Sequence, residues 1–251
     1  MYRRRNPDHE IQHYKRLAAQ GDITAEAKVL QLRIRSGELN SHYVGLAAYL
    51  EDEASLLVCP DPELLRREQG LSRLGAIPRR ETIELRPSEW SLVCRVFNLG
   101  RPLDSKLVVT AAADFAEHVL PIWEAYSSSK RAFLAIQAAN DWVEGMIGSE
   151  ELIDFSFVYG PPGTVITSDA ATDAIDAALS AVAAAQAADS GSEATIAFAA
   201  TSASYAASLA ASAAFNAGDS YDSEIPEEDW QRLHLIELLL SYRGGVGSIP
   251  V

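Results

Sequence analysis

The chain has 251 residues, of which 48% are hydrophobic and 22% charged, and its net charge is −14. This composition is typical of a globular protein with one large or two small domains and a substantial core. The negative charge disfavours nucleic acid and anionic membranes as partners, because both are polyanions, and favours a basic protein partner.

The segment MYRRRNPDHEIQHYKR is basic, but no apolar run follows it, so no signal peptide is predicted. The longest apolar stretches are interrupted by Asp, Gln, Ser and Thr, and no membrane span is predicted. Cys59 and Cys94 lie far apart and outside any metal-ligand spacing. We therefore expect a soluble cytoplasmic protein with reduced thiols.

The first half of the chain has the pattern of short helices separated by clear breaks. Apolar residues at helical spacing predict a helix over residues 24–36, and Gly37 follows where a helix commonly ends. A second helix is predicted from Asn40 or Ser41, either of which can cap it, so that the two form a helical hairpin. Further helices are predicted from Asp61 to Gly70 and from Ser88 to Gly100.

The middle of the chain predicts two longer amphipathic helices that pack antiparallel. The first starts at Lys106, and Pro121 either kinks it or ends it and starts another helix. The second lies in KRAFLAIQAANDWVEGM and has an apolar stripe that we expect to be buried. Its members are Phe133, Ile136, Ala139 and Val143.

Residues 170–217 are about half alanine and predict two closely packed helices, separated at residues 189–192. Disorder is the alternative, but the larger apolar residues spaced along both runs argue against it. We expect these larger side chains to supply the core contacts. They are Ile175, Leu179, Val182, Ile196, Phe198, Tyr205, Leu209 and Phe215.

The stretch GPPGTVIT, residues 160–167, begins like a phosphate-binding loop. Val165 and Ile166 stand where that motif needs glycine and lysine, so we predict no nucleotide site. The Pro-Pro-Gly sequence is typical of a type II turn within an extended or β-hairpin insert at residues 151–168. We expect this insert to act as a clasp over the groove between the two helical halves, and contact with a partner is the less favoured alternative.

Residues near the last helix form an acidic patch that could bind a basic partner. The alternative is a solubilising loop followed by a helix start, because acids favour the positive end of the helix dipole. The helix itself is expected to bury Leu233, Ile236, Leu239 and Leu240. The candidate partner-binding residues are Asp219, Asp222, Glu224, Glu227, Glu228, Asp229 and Trp230.

No catalytic, cofactor-binding or metal-binding residue is predicted. Asp114, Glu117 and His118 lie close together on one helix, but they do not match the Glu-x-x-His pattern of two-metal helical sites. His234 and Glu237, on another helix, do not match it either. No serine lies in G-x-S-x-G, and Cys94 is set among apolar residues that would make it unreactive. A metal-dependent hydrolase using the first three residues is the least favoured alternative.

Three consecutive segments resemble a known bacterial family. The chain contains DFAEHVLPIWEAY, then KRAFLAIQAANDWVEG, then the alanine-rich helices and EEDWQRLHLIELL. This order, over about residues 107–241, is similar to the immunity protein 5-like family. His118 stands where that family has arginine, and the 151–168 insert replaces a shorter connector. The earlier stretch VLQLRIRSGELNSHYVGLAAYLEDEAS resembles a helical module of unknown role that precedes such domains.

The sequence therefore predicts an all-α protein built as a compact array of antiparallel helices. Its expected parts are an N-terminal helical module, residues 1–103, and an immunity-protein-5-like domain, residues 104–251, packed as one unit. The resemblance implies a non-enzymatic inhibitor that neutralises a bacterial toxin by binding it. The alternative is a helical scaffold or adaptor, and neither hypothesis predicts an oligomeric state.

Overall fold

The structure is a computed structural model, and it describes residues 7–60, 92–97, 103–152, 168–189, 193–218 and 225–242. These residues are predominantly α-helical, and none of them lies in a strand. The all-α prediction is thus confirmed for the described part of the chain. The chain divides into two compact units, with the last helix contributing its first half to one and its second half to the other.

One unit contains the N-terminal helices and the chain from Leu235 onward. Its helices are α1 (Pro7–Ala18), α2 (Ile23–Arg35), α3 (Ser41–Tyr49) and α4 (Glu53–Val58). The prediction of a helix near 24–36 followed by one from Asn40 or Ser41 is confirmed within a residue.

Short polar side chains start three of these helices. The carboxylates of Asp22 and Asp52 accept the backbone N–H of Ala25 and Ser55, and the Asn40 side chain accepts that of His42. Each bond satisfies one of the N–H groups that a helix start leaves without a partner. Gly37 has a φ of +76°, the left-handed conformation that commonly ends a helix and that glycine adopts without strain.

A small apolar core holds this unit together. Leu30, Leu39 and Val44 are buried with two alanines, and Leu240 packs against them. Arg33 donates from Nη1 to the backbone carbonyl of Leu240 at 2.7 Å. This bond satisfies a carbonyl near the end of the last helix, which has no intrahelical partner.

The other unit contains the helices from Leu92 to the first half of the last helix. They are α5 (Leu92–Phe97), α6 (Ser105–His118), α7 (Leu120–Tyr126), α8 (Arg131–Glu144), α9 (Ser149–Leu152), α10 (Asp169–Asp189), α11 (Glu193–Ala217) and α12 (Glu227–Ser241). Pro121 lies in the first turn of α7, so of the two alternatives it starts a new helix.

Helix α6 is at the centre of this unit and packs against α8, α10 and α11. Nearly every apolar residue between Leu107 and Ala116 is buried, and Phe115 is completely enclosed. Only its polar side chains, such as Asp114 and His118, reach the surface in part. These two residues consequently define one wall of the candidate site described below.

Helices α10 and α11 form the closely packed alanine-rich pair that the sequence predicts. Alanines at helical spacing are buried on both helices, and Ile175 and Val182 join them on α10. One polar contact crosses the pair: the buried carboxylate of Asp173 accepts from Ser212 Oγ at 2.6 Å and from Asn216 Nδ2 at 3.0 Å. This pairing offsets the cost of burying Asp173 between apolar surfaces.

The expectation that the aromatic residues of α11 supply core contacts is wrong. Phe198, Tyr205 and Phe215 are 58%, 61% and 79% exposed. The buried alanines bring the backbones of α10 and α11 close together and leave no space for rings between them. Leu179 and Leu209 are half-buried, and the side chain of Ile196 lies outside the described residues.

Two further expectations of burial are also wrong. Phe133 on α8 is 43% exposed and Leu233 on α12 is 51% exposed. On α8, the alanines, Ile136 and Trp142 face the core, which rotates the stripe away from Phe133. The positions of Ile136, Ala139, Ile236 and Leu239 in the core are confirmed.

Several predicted features lie outside the described residues. The insert at 151–168 is described only at its ends, where Glu151 and Leu152 belong to helix α9, so neither the β-hairpin nor the clasp gains support. The predicted helix at 61–70 and the side chain of Cys94 also lie outside, as do Asp219, Asp222 and Glu224 of the acidic patch.

Candidate functional site

The described part of the acidic patch lies at the start of helix α12. Glu227, Glu228 and Asp229 occupy its first turn, directly after Pro226, whose carbonyl accepts the N–H of Trp230. Three carboxylates at this end are favourable because the free backbone N–H groups carry partial positive charge. The structure separates these side chains into a buried set and an exposed set.

Glu227 belongs to the buried set. Its side chain is only 4% exposed, and its Oε2 accepts from Nδ1 of His118 on α6 at 2.6 Å. Its Oε1 accepts from Nε2 of Gln231, one turn further along α12, at 2.9 Å. Glu227 thus joins α12 to α6, and a partner cannot reach it without breaking these bonds.

A second pair of the same kind runs in the opposite sense between the two helices. His234 of α12 donates from Nε2 to Oδ2 of Asp114 on α6 at 2.7 Å. Each helix therefore provides one histidine and one carboxylate, four residues apart on α6 and seven apart on α12. An ionised carboxylate can only accept a hydrogen bond, so the imidazole is the donor in both pairs.

Trp230 lies between Glu227 and His234 on α12 and stacks on the imidazoles of both pairs. Its ring is nearly parallel to those of His118 and His234, at centroid distances of 3.6 Å and 4.9 Å. Phe115 meets the indole edge-on at 6.3 Å. We define the polar-aromatic joint as Asp114, His118, Glu227, Trp230 and His234.

Gln231 extends the joint towards α11. It is completely buried, and its Nε2 donates both to Glu227 and to the backbone carbonyl of Ala207, at 2.9 Å and 3.0 Å. Two acceptors face this end of the amide, which fixes its orientation. Its Oε1 has no hydrogen-bond partner among the described residues.

The exposed set consists of Glu228, Asp229 and Leu233. Asp229 also lies 3.8 Å from the guanidinium of Arg232, a surface ion pair of small energetic value. Partial desolvation raises the pKa of Glu228, although the residue is exposed, and the charge of Asp229 raises it further. A cationic group placed beside them would relieve this repulsion.

The residues considered for metal binding are used differently. Asp114 and His118 each pair with a residue of α12 rather than with each other, and Glu117 is exposed. Within the described ranges no group of three or more His, Cys, Asp or Glu side chains could hold a metal ion. The donor atoms of the joint instead form two separate hydrogen-bonded pairs.

The sequence pattern predicted that Glu227 and Trp230 belong to one patch with Glu228 and Asp229. It did not predict that Glu227 and Trp230 point inward. The signal was present in α12, where Glu227, Trp230, Gln231 and His234 recur at spacings of three, four and seven residues and so share one helix face. What the sequence could not supply was the partner helix α6. Trp230 is half-buried in its stack, so it contributes to α12 placement first.

Comparison with known proteins gives no relative for this chain: no family model, no curated protein and no solved structure matches it. No helix in the described part of the chain is both long and apolar enough to cross a membrane.

Proposed function

We infer that this protein is a non-enzymatic, cytoplasmic inhibitor that neutralises a bacterial toxin by binding a basic surface of it. The observation that carries this proposal is the exposed set Glu228, Asp229 and Leu233 on a helix start. Two carboxylates beside an exposed leucine suit a partner with lysine or arginine around an apolar contact. The resemblance to immunity protein 5-like sequences points the same way.

The polar-aromatic joint supports the proposal through preorganisation. Two hydrogen bonds and a stacked indole fix the inward side of α12, so the exposed carboxylates keep their positions in the free protein. A rigid binding surface loses less conformational entropy when it binds. The net charge of −14 adds long-range attraction that speeds the encounter with a basic partner.

A toxin-rescue experiment tests the proposal. The probes are the proteins that the genes next to this one encode, each expressed in bacteria with and without this protein, and binding is measured on the purified pair for any that is toxic. We expect rescue and direct binding, with association slowed at least about 10-fold in E228K/D229K at low salt. The difference should shrink at high salt, because screening weakens steering.

The matched control is E124K/E144K, which reverses the charge of two exposed carboxylates in the last turns of α7 and α8. We expect this variant to rescue like the wild type. Loss of growth despite well-expressed wild-type protein would rule out neutralisation of that toxin. Equal association rates for E228K/D229K and the control would rule out this surface as the contact.

A helical scaffold or adaptor is the second candidate function. It is favoured by exposed apolar side chains that do not belong to the acidic patch, such as Phe133 and Leu134 on α8 at 43% and 45%. Adjacent exposed apolar residues of this size commonly mark protein contacts. Binding of a neutral native protein that survives E228K/D229K would support this alternative.

A further inference from the structure

Helix α11 exposes an aromatic face that the acidic-patch proposal does not use. Phe198, Tyr205 and Phe215 are each more than half exposed and lie within one third of the helix circumference. Ser208 and Leu209 lie between them and are partly exposed. At 1.5 Å per residue, this aromatic face of α11 is about 26 Å long from its first ring to its last.

The aromatic face also has no charge. From Ala194 to Ala217 the helix contains no acidic or basic residue. Solvent-facing stripes of helices normally carry charged residues, as α8, α10 and α12 do with Glu144, Asp169 and Asp229. Exposed rings on an uncharged stripe of this length are typical of a protein contact.

We propose that the aromatic face of α11 is the contact between two copies of this chain. A copy carrying a charge of −14 is repelled by another copy wherever acidic side chains meet. The uncharged stripe is the surface on which two copies can approach without placing like charges against each other. A twofold contact needs one surface that fits itself, and a stripe of rings and small side chains supplies it.

Other occupants fit this face less well. A basic partner gains nothing from an uncharged stripe and is drawn to the carboxylates at the start of α12. An anionic membrane surface is repelled by the net charge of −14. A second copy carries the same uncharged stripe, of the same length, and so places no charge against this face.

The test is the oligomeric state of the purified full chain, measured by light scattering and sedimentation from about 1 to 100 µM. We expect a species of twice the 27.2 kDa chain mass that dissociates on dilution. In Y205E/F215E, four added negative charges face each other across the twofold contact. The dissociation constant should rise at least about 100-fold.

The control is L134E/M146E, which places two glutamates at exposed apolar positions in and just after α8, 45% and 62% exposed in the wild type. We expect it to remain dimeric, and circular dichroism should show unchanged helix content in both variants. A wild-type monomer throughout the concentration range would overturn the proposal, as would a dimer that persists in Y205E/F215E. Toxin rescue does not enter this test, so either proposal can fail without the other.

Discussion

At the scale of single residues, Glu227 is the most constrained side chain of the candidate site. Its carboxylate is almost fully buried and accepts hydrogen bonds from His118 and Gln231. A charge buried in this way is stable only while its donors are present. The acidic first turn of α12 therefore contains one internal carboxylate and two surface carboxylates.

Replacing Glu227 tests this division. E227A removes the acceptor shared by the part-buried His118 and the buried Gln231, so the free energy of unfolding should fall by about 2–4 kcal/mol. Urea unfolding followed by circular dichroism measures the change. E228A is the control, with an expected loss below about 1 kcal/mol. Equal losses in the two variants would show that Glu227 is also a surface residue.

Glu26 on α2 gives a pH-dependent prediction. Partial desolvation and then the charge of Asp52 raise the pKa of this exposed residue above its ordinary value of 4.5. The folded state thus binds the proton more tightly than the unfolded chain, and this contribution to stability is lost as pH rises through the folded pKa. We therefore expect the stability of E26Q relative to the wild type to increase as the pH rises from about 4 to about 6.

The size of this effect should be small, because solvent screens an exposed carboxyl. D52N provides the control, because asparagine keeps the cap on α4 but removes the charge. The difference in stability between D52N and E26Q/D52N should therefore depend less on pH than the difference between the wild type and E26Q. Urea midpoints measured at several pH values give both slopes. A slope that does not change in D52N would exclude Asp52 as a cause.

At the scale of helices, close contact between alanine faces determines how α10 and α11 pack. Ala177, Ala178 and Ala181 on α10 and Ala203, Ala206 and Ala210 on α11 are completely buried. Such faces have no side chains that could move aside, so added volume must separate the backbones. The exposed aromatic face of α11 follows directly from this arrangement.

Overpacking this interface is the corresponding prediction. A203L inserts a larger side chain between α11 and its neighbours and should lower the free energy of unfolding by about 1–3 kcal/mol. A125L makes the same change at an exposed position of α7 and should change it by less than about 0.5 kcal/mol. Chemical unfolding of both variants gives the comparison. A tolerated A203L would mean that the two helices are loosely packed.

At the scale of the whole molecule, the net charge of −14 opposes compaction. Added salt screens the mutual repulsion of the acidic side chains. We therefore expect the Tm to rise when NaCl is increased from about 20 to 300 mM. E124K/E144K changes the net charge from −14 to −10, so its Tm, measured by calorimetry, should rise less with salt. A Tm that falls with salt would indicate that attractive ion pairs outweigh this repulsion.

Local signals in the sequence were sufficient for most of the helices. The caps at Asp22, Asn40 and Asp52, the positive φ at Gly37 and the start of α7 at Pro121 all act within one turn of the chain. Because those interactions are local, helices α2, α3 and α6–α8 could be predicted from the sequence, whereas α1, α4 and α9 were not predicted. The two long alanine-rich helices and the break between them were predicted for the same reason.

Only the tertiary structure decided which side of each helix is buried and which acidic residues stay accessible. Phe198 and Leu233 look like core residues from hydrophobicity alone, but neighbouring helices pack on other faces. Glu227 looks like its neighbour Glu228, but His118, 109 positions earlier in the chain, draws it inward. Composition and local propensity determine helices and net charge, whereas burial depends on contacts between residues far apart in sequence, which a single sequence does not specify.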